Sequence, residues 1–366
     1  EDRKRGVCMG RGENTEEANR LSTDDVVKID LDLAFDAGVV TRQDYTNAYV
    51  DAVEALIDLD SIRDAGLRVI VDPMYGVSQL TLGIILTEAR CRVTFINERH
   101  NPLFGGRSPA PDMEALRLLQ SHVRNENYDL GLATDGDADR IAIVDESGTY
   151  VTVNDILLLT YWYLHEIREE RGGVVRNLAT THLLDRLAKH FGEEAYEVPV
   201  GFKHVSAAMV EHDALLGGES SGGLTIRGHI LGKDGIFASA LIVEMLAKTG
   251  KTISQLLTEV HGITGNLTAA ELNLPATPEM RVIFPKQLDA LLAACEEEPI
   301  SLGGYPIERI STLDGAKFFF ENDNWALMRF SGTEPVLRVF SEADTEEKAN
   351  ALIEALKERF GLQSQF

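Results

Sequence analysis

Asp135, Asp137 and Asp139 stand on alternate residues of the segment Thr134-Asp135-Gly136-Asp137-Ala138-Asp139-Arg140. Three carboxylates held this close repel one another unless a cation lies among them. Hard oxygen donors that leave room for water or a phosphate oxygen suit Mg²⁺, which prefers near-octahedral oxygen coordination. A calcium loop of the EF-hand kind also spaces acids on alternate residues, and Glu146 falls where its closing glutamate would. That reading fails because Arg140 stands where the calcium loop needs glycine, and apolar strand-like runs flank the loop where helices are required. A solvated acidic turn is the plainer alternative.

Two further segments carry groups that bind polar ligands. Gly217-Gly218-Glu219-Ser220-Ser221-Gly222-Gly223 sets one carboxylate and two hydroxyls on a backbone that glycine lets approach a ligand closely. Such groups match vicinal sugar hydroxyls, which both donate and accept; a plain glycine-serine turn is the alternative. Arg329-Phe330-Ser331-Gly332-Thr333-Glu334-Pro335, with Arg338 just beyond, offers a guanidinium, two hydroxyls and free N–H groups, a set that can wrap a phosphate dianion. A turn between two strands would look similar.

These loops need elements to position them. Residues 1–60 read as a polar lead and a helix over 44–59, short of a complete domain. From Gly66, short apolar strands at 67–71, 92–96, 130–133 and 141–144 alternate with helices at 79–89 and 113–126, which makes an α/β domain over 61–153. After a long helix over 154–171, strands at 173–175 and 196–198 alternate with helices at 183–191, 204–211 and 237–246, a second α/β domain over 154–263 of similar order. The rest, 264–366, reads as a smaller α+β domain, with strands at 268–274, 316–320, 325–330 and 337–341 and helices at 285–295 and 346–360. The expected fold class is therefore α/β: two related α/β domains, a smaller C-terminal α+β domain and a partial N-terminal remnant.

Composition narrows the partners. A chain of 366 residues exceeds what one core usually serves, so several domains are expected. The formal charge of −24 repels a phosphate backbone and argues against nucleic acid. An anionic substrate would need positive charge gathered locally by arginine, lysine, helix N-termini or a bound cation. Cys8, Cys91 and Cys295 are scattered and lack metal-ligand spacing, which fits a reducing cytoplasm. No apolar run has membrane-spanning length, and Glu1-Asp2-Arg3-Lys4-Arg5 leads into no apolar region of a signal peptide. Oligomeric state is not legible.

Taken in this order, the three loops resemble those of the α-D-phosphohexomutase family, the phosphoglucomutases and phosphomannomutases. DGDADR resembles its magnesium loop, GESSGG its sugar loop and RFSGTEP its phosphate loop, and Phe104-Gly105-Gly106-Arg107-Ser108-Pro109 is similar to a stretch of its second domain. The resemblance implies Asp135, Asp137 and Asp139 as Mg²⁺ ligands with Arg140 beside them. It implies Glu219 and Ser221 as partners of sugar hydroxyls, and Arg329, Ser331, Gly332 and Thr333 as the clamp for the phosphate that is not transferred. Lys203, in Val200-Gly201-Phe202-Lys203-His204, matches a segment that brings a lysine to the reacting hydroxyl.

Departures from the family pattern are specific. Its first domain carries a Thr-Ala-Ser-His-Asn-Pro loop whose phosphorylated serine donates and recovers the phosphoryl group, and no such stretch occurs here. His100-Asn101-Pro102 repeats the last three letters only. Gly223 stands where some members have histidine. The expected function is a mutase interconverting hexose 1-phosphate and 6-phosphate through a hexose 1,6-bisphosphate, incomplete in this chain, with glucose favoured over mannose because Gly222-Gly223 resembles the glucose-type ending. The alternatives are a non-catalytic sugar-phosphate-binding protein and a magnesium-dependent sugar phosphatase.

Overall fold

The computed structural model describes residue 20, residues 28–332 and residues 334–362, with residue 296 by its backbone alone. The chain divides into two compact units, Glu1–Tyr49 and Val50–Phe366. Helix α1 (Leu31–Asp36) starts where the Asp30 side chain accepts from the N–H groups of Asp32 and Leu33, a cap worth about 1 kcal/mol. The stretch expected as one helix over 44–59 forms two, α2 (Thr46–Glu54) and α3 (Leu59–Ala65). Asp58 causes the break: its carboxylate accepts from Ser61 N at 3.0 Å and so caps a new helix.

The first α/β layer runs β1 (Arg68–Asp72), α4 (Ser78–Glu88), β2 (Arg92–Phe95), α5 (Arg117–Glu126), β3 (Leu130–Thr134), β4 (Ile141–Val144) and β5 (Tyr150–Val151). Its sheet order is β2-β1-β3-β4-β5, parallel as far as β3 and antiparallel beyond. Every residue of β3 and β4 is buried, the continuous apolar pattern of strands covered on both faces.

Helix α6 (Val153–Glu166) leads to the second layer: β6 (Val174–Asn177), α7 (Leu183–Phe191), β7 (Ala195–Val198), α8 (Phe202–His212), β8 (Leu216–Gly218), β9 (Leu224–Ile226) and α9 (Gly235–Thr249). Its order is β7-β6-β8-β9, again parallel until the final antiparallel strand. The two sheets thus share topology, the structural form of the relatedness expected from their alternation. Glu244 joins the layers: this buried carboxylate accepts from Arg168 at 2.6 and 2.8 Å, from the Tyr163 hydroxyl and from Asp58 N at 2.9 Å. The helix expected over 154–171 ends at Glu166, which frees Arg168 to turn into this contact.

Helix α10 (Ile253–Thr264), not anticipated from sequence, is opened by a reciprocal capping box between Thr252 and Gln255. The C-terminal domain follows: β10 (Thr268–Pro275), α11 (Pro278–Glu297), β11 (Ser301–Leu302), β12 (Tyr305–Pro306), β13 (Arg309–Ser311), β14 (Ala316–Phe319), β15 (Trp325–Phe330), β16 (Val336–Ala343) and α12 (Glu346–Arg359). The antiparallel sheet β10-β16-β15-β14-β13 packs on a core that includes Phe318, Met328, Leu337, Leu352 and Phe360. Helix α11 begins at Pro278, seven residues before the expected start at Pro285. Thr277 caps it and Pro278 fills the first turn, where a missing N–H is harmless, so Pro285 is carried inside the helix.

Candidate active site

The acidic loop joins the buried strands β3 and β4 at the carboxyl end of β3, where open α/β sheets place their ligand crevice. One oxygen from each of Asp135, Asp137 and Asp139 lies within 4.8 Å of the others. Asp135 is buried, Asp139 half-buried and Asp137 exposed. Burial first, and then the charges of Asp139 and Asp137, push the Asp135 carboxyl up to about 6, against an N–H donated by Arg140. Arg140 Nε lies 3.4 Å from Asp135 and 3.5 Å from Asp139, without a hydrogen bond at either. Asp139 Oδ1 is buried with no hydrogen-bond partner among the described residues. A desolvated, mutually repelling oxygen set with an unsatisfied lone pair fits a hard divalent cation.

Backbone contacts hold this loop in shape. Ala138 sits at φ 61°, a left-handed conformation that costs a non-glycine residue about 1 kcal/mol. It is held there by Gly235 N, which donates to Ala138 O at 2.9 Å from the start of α9. On the other side Val77 N donates to Gly136 O at 3.2 Å, and Gly76 lies so near that a Cβ there would meet Gly136 O at 2.5 Å. A cavity of ≈ 400 Å³ opens at the loop, lined by Phe104, Ser108 and Pro109 together with Asp135, Asp137 and Arg140.

The sugar-type loop follows β8 and abuts the acidic loop, since Ile141 N donates to Gly222 O at 3.0 Å. Glu219 is buried, and its Oε1 accepts from Asn177 Nδ2 at 3.0 Å and from Gly201 N at 2.9 Å. Ser221 is exposed. Lys203 is also exposed, in the first turn of α8, which begins directly after Gly201. Gly223 has a structural reason to lack a side chain: the space a Cβ would take is filled by the stem of Lys233, whose ammonium pairs with Asp139.

The third loop links β15 and β16. Arg329 Nε donates to Asp314 Oδ2 at 3.0 Å, and Val200 N donates to the same oxygen at 3.1 Å. Ser331 is buried; its N–H donates to Val336 O at 2.9 Å, and its hydroxyl accepts from Glu334 N at 3.2 Å. Gly332 is exposed, and Thr333 lies outside the described residues. Arg338 is engaged by Glu334 at 2.7 Å.

Hydrogen bonds therefore run from the acidic loop through Gly222 to the Glu219 loop, and from Glu219 through Gly201 and Val200 to Asp314 and Arg329. The ≈ 400 Å³ cavity itself is bounded by the acidic loop and residues 104–110, not by Glu219 or Arg329. Asn177, Lys233 and Asp314 carry no signal of this role in the sequence, and Val200 stands there only as a neighbour of Lys203. The one available cue was the Asp314-Gly315 turn signal, which names a turn and not its contact.

Residues 47–148 match the family description "Phosphoglucomutase/phosphomannomutase, alpha/beta/alpha domain II". Residues 152–262 match its alpha/beta/alpha domain III, and residues 271–359 its C-terminal domain. The chain belongs to the phosphoglucomutase/phosphomannomutase family. Among its relatives, the chain is 34% identical over 318 residues to a phosphoglucomutase/phosphomannomutase of Thermococcus kodakarensis, covering 87% of this chain and 66% of that one. It is 32% identical over 303 residues to a probable phosphoglucosamine mutase of Methanopyrus kandleri, covering 82% and 63%. The crystal structure of a putative phosphomannomutase from Thermus thermophilus superposes with a TM-score of 0.72 at 30% identity, covering 86% of this chain and 66% of that chain. The chain thus spans just under two thirds of the length of these phosphohexomutases. Among the described residues, no helix is long and apolar enough to cross a membrane.

Proposed function

We propose that this chain carries the metal, sugar and phosphate recognition of a mutase that interconverts hexose 1-phosphate and hexose 6-phosphate. The domain division that goes with this reading is 61–153 for the metal, 154–263 for the sugar and 264–366 for the phosphate. Asp135, Asp137 and Asp139 hold Mg²⁺, which when bound neutralises charge on the phosphoryl group being transferred. Arg140, beside that carboxylate set, adds positive charge at the same end. Lys203, at the start of α8, faces the reacting hydroxyl. Glu219 and Ser221 take sugar hydroxyls. Arg329, Ser331, Gly332 and Thr333 hold the other phosphate, which must be accepted at either end of the sugar because hexose 1,6-bisphosphate turns over between the half-reactions.

The observation that supports this best is the hydrogen-bonded continuity of the three loops, from Ile141 N–Gly222 O at 3.0 Å to Asp314–Arg329 at 3.0 Å. A magnesium-dependent phosphatase would have no use for the two loops beyond the acidic one. The names of the relatives span glucose, mannose and glucosamine phosphates; of these we favour glucose. Calorimetric titration of the Mg²⁺-loaded chain with glucose 6-phosphate, mannose 6-phosphate and glucosamine 6-phosphate tests the reading. Saturable binding, tightest for glucose 6-phosphate and lost in Arg329→Ala, is expected. An absence of binding for all three would contradict it. Conversion of glucose 1-phosphate with glucose 1,6-bisphosphate present separates a mutase from a binder, and phosphate release without isomerisation would mark a phosphatase.

A further inference from the structure

Arg329 is mostly buried, and its guanidinium is fixed by one edge only. Nε donates to Asp314 Oδ2 at 3.0 Å, and among the described residues no acceptor lies within hydrogen-bonding distance of Nη1 or Nη2. A guanidinium held through Nε keeps the paired Nη edge for a second, bidentate partner, and that fork matches two oxygens of a phosphate. Asp314 comes from the turn between β13 and β14, outside the Arg329–Pro335 segment. The turn can press on β15 because Gly315 has φ +90°, and a Cβ there would meet Arg329 Cβ at 2.8 Å.

The same Asp314 oxygen accepts from Val200 N at 3.1 Å, and the next N–H along, Gly201 N, donates to Glu219 Oε1 at 2.9 Å. Consecutive peptide groups of the β7–α8 connection are thus taken by two carboxylates, one steering the guanidinium and one belonging to the sugar-type loop. Lys203 follows two residues later. The position of Arg329 is thereby tied, across the junction between the second α/β layer and the C-terminal domain, to the loop that carries Glu219.

We infer that Asp314 is a positioning residue that presents the Nη edge of Arg329 to the substrate phosphate and sets its distance from the Glu219 loop. The inference rests on the reading of Arg329 as a phosphate ligand. It predicts an effect opposite in sign to simple electrostatics. A carboxylate beside a phosphate site repels the ligand, so if charge alone mattered its removal would tighten binding. If orientation matters, removal weakens it.

The test is calorimetric titration of the Mg²⁺-loaded chain with glucose 6-phosphate for the native protein, Asp314→Ala, Asp314→Asn, Arg329→Ala and the Asp314→Ala/Arg329→Ala pair. Asp314→Ala is expected to raise Kd about 10-fold or more, the size seen when a supporting outer partner is lost. Asp314→Asn keeps an acceptor oxygen without the charge and should weaken binding by a smaller factor, about 3-fold. The double variant should bind no worse than Arg329→Ala alone, because Asp314 acts through Arg329. Unchanged or tighter binding in Asp314→Ala, or fully additive losses in the pair, overturns the inference while Arg329→Ala still loses binding. Native protein that binds no sugar phosphate overturns the functional reading and this inference with it. If Asp314→Ala does not melt cooperatively, Asp314→Asn decides: about 3-fold weaker supports the inference, and native affinity refutes it.

Discussion

Lys317 of β14 buries its ammonium completely, 2.6 Å from Glu197 Oε2 of β7, so the C-terminal domain and the second α/β layer share an ion pair whose lysine end is closed off from water. Arg176 completes the group, 2.7 Å from Glu197 and 2.5 Å from Asp185. His182 receives a hydrogen bond from Lys317 through Nε2 at 2.9 Å and donates through Nδ1 to Asp323 O at 3.0 Å. Its own N–H reaches Glu342, which also accepts from the Trp325 indole. Burial pushes Glu197 upward, but His182, Lys317 and Arg176 outweigh it, leaving its carboxyl well below the usual range. Beside the cluster lies a cavity of ≈ 430 Å³ edged by Arg309, Phe319 and Asp323.

Lys317→Met removes one member of this group and leaves Glu197 to Arg176 alone. Breaking a buried pair from one side costs about 3–5 kcal/mol; with Arg176 remaining, the lower end of that range is expected. Urea denaturation should show the midpoint falling at unchanged slope. A change below about 1 kcal/mol would mean the pair does not hold the domains together.

Stability should fall in acid partly through His182. Burial first, then the charges of Arg176 and Lys317, lower its pKa to about 4, against the pull of Glu197 and Asp185. The unfolded chain takes up a proton near the ordinary histidine value of 6.5, the folded chain only near 4, so stability is present above about 6.5 and is lost as pH drops toward 4. A gap of this size corresponds to about 3 kcal/mol. Lys317, lowered to about 7 by burial and Arg176, acts in the same direction between the ordinary lysine value of 10.5 and 7. In His182→Gln, denaturation midpoints measured from pH 6.5 to 4 should decline less steeply than in the native protein; equal slopes would remove His182 from the account.

Asp137 is the exposed member of the carboxylate set, so Asp137→Asn should leave the fold intact and weaken Mg²⁺ binding about 10-fold or more. Calorimetric titration with MgCl₂ reads this directly, alongside an unchanged melting temperature. Native affinity in the variant would take Asp137 out of the ligand set.

Gly76→Ala should be damaging out of proportion to one methyl group. The new Cβ would meet backbone on two sides, Gly136 O at 2.5 Å and Pro73 O at 2.8 Å, and neither can swing away as a side chain tip does. Overpacking of this kind costs about 1–3 kcal/mol and displaces the acidic loop. Reduced thermal stability together with weaker Mg²⁺ binding is expected; loss of one without the other would separate the glycine's packing from the loop's geometry.

Much of this protein was legible in its residue order. The strand–helix alternation announces two α/β layers, because buried parallel strands need continuous apolar runs and their crossovers need helices. The DGDADR, GESSGG and RFSGTEP segments are recognisable because each packs its chemistry into seven or fewer consecutive residues, where spacing is enforced by the covalent chain. Helix limits were less legible: α11 starts at the Thr277 cap and carries Pro285 within it, and α10 depends on a capping box that the apolar pattern does not display. What the fold alone decided are the partners. Asp314 and Val200 are separated by 114 residues and Lys317 and Glu197 by 120, and in sequence each of the charged members looks like an ordinary surface residue. Only the packing of one domain on another draws them partly out of water, completely for Lys317, and a desolvated charge must find an opposite charge or a donor at hydrogen-bonding distance.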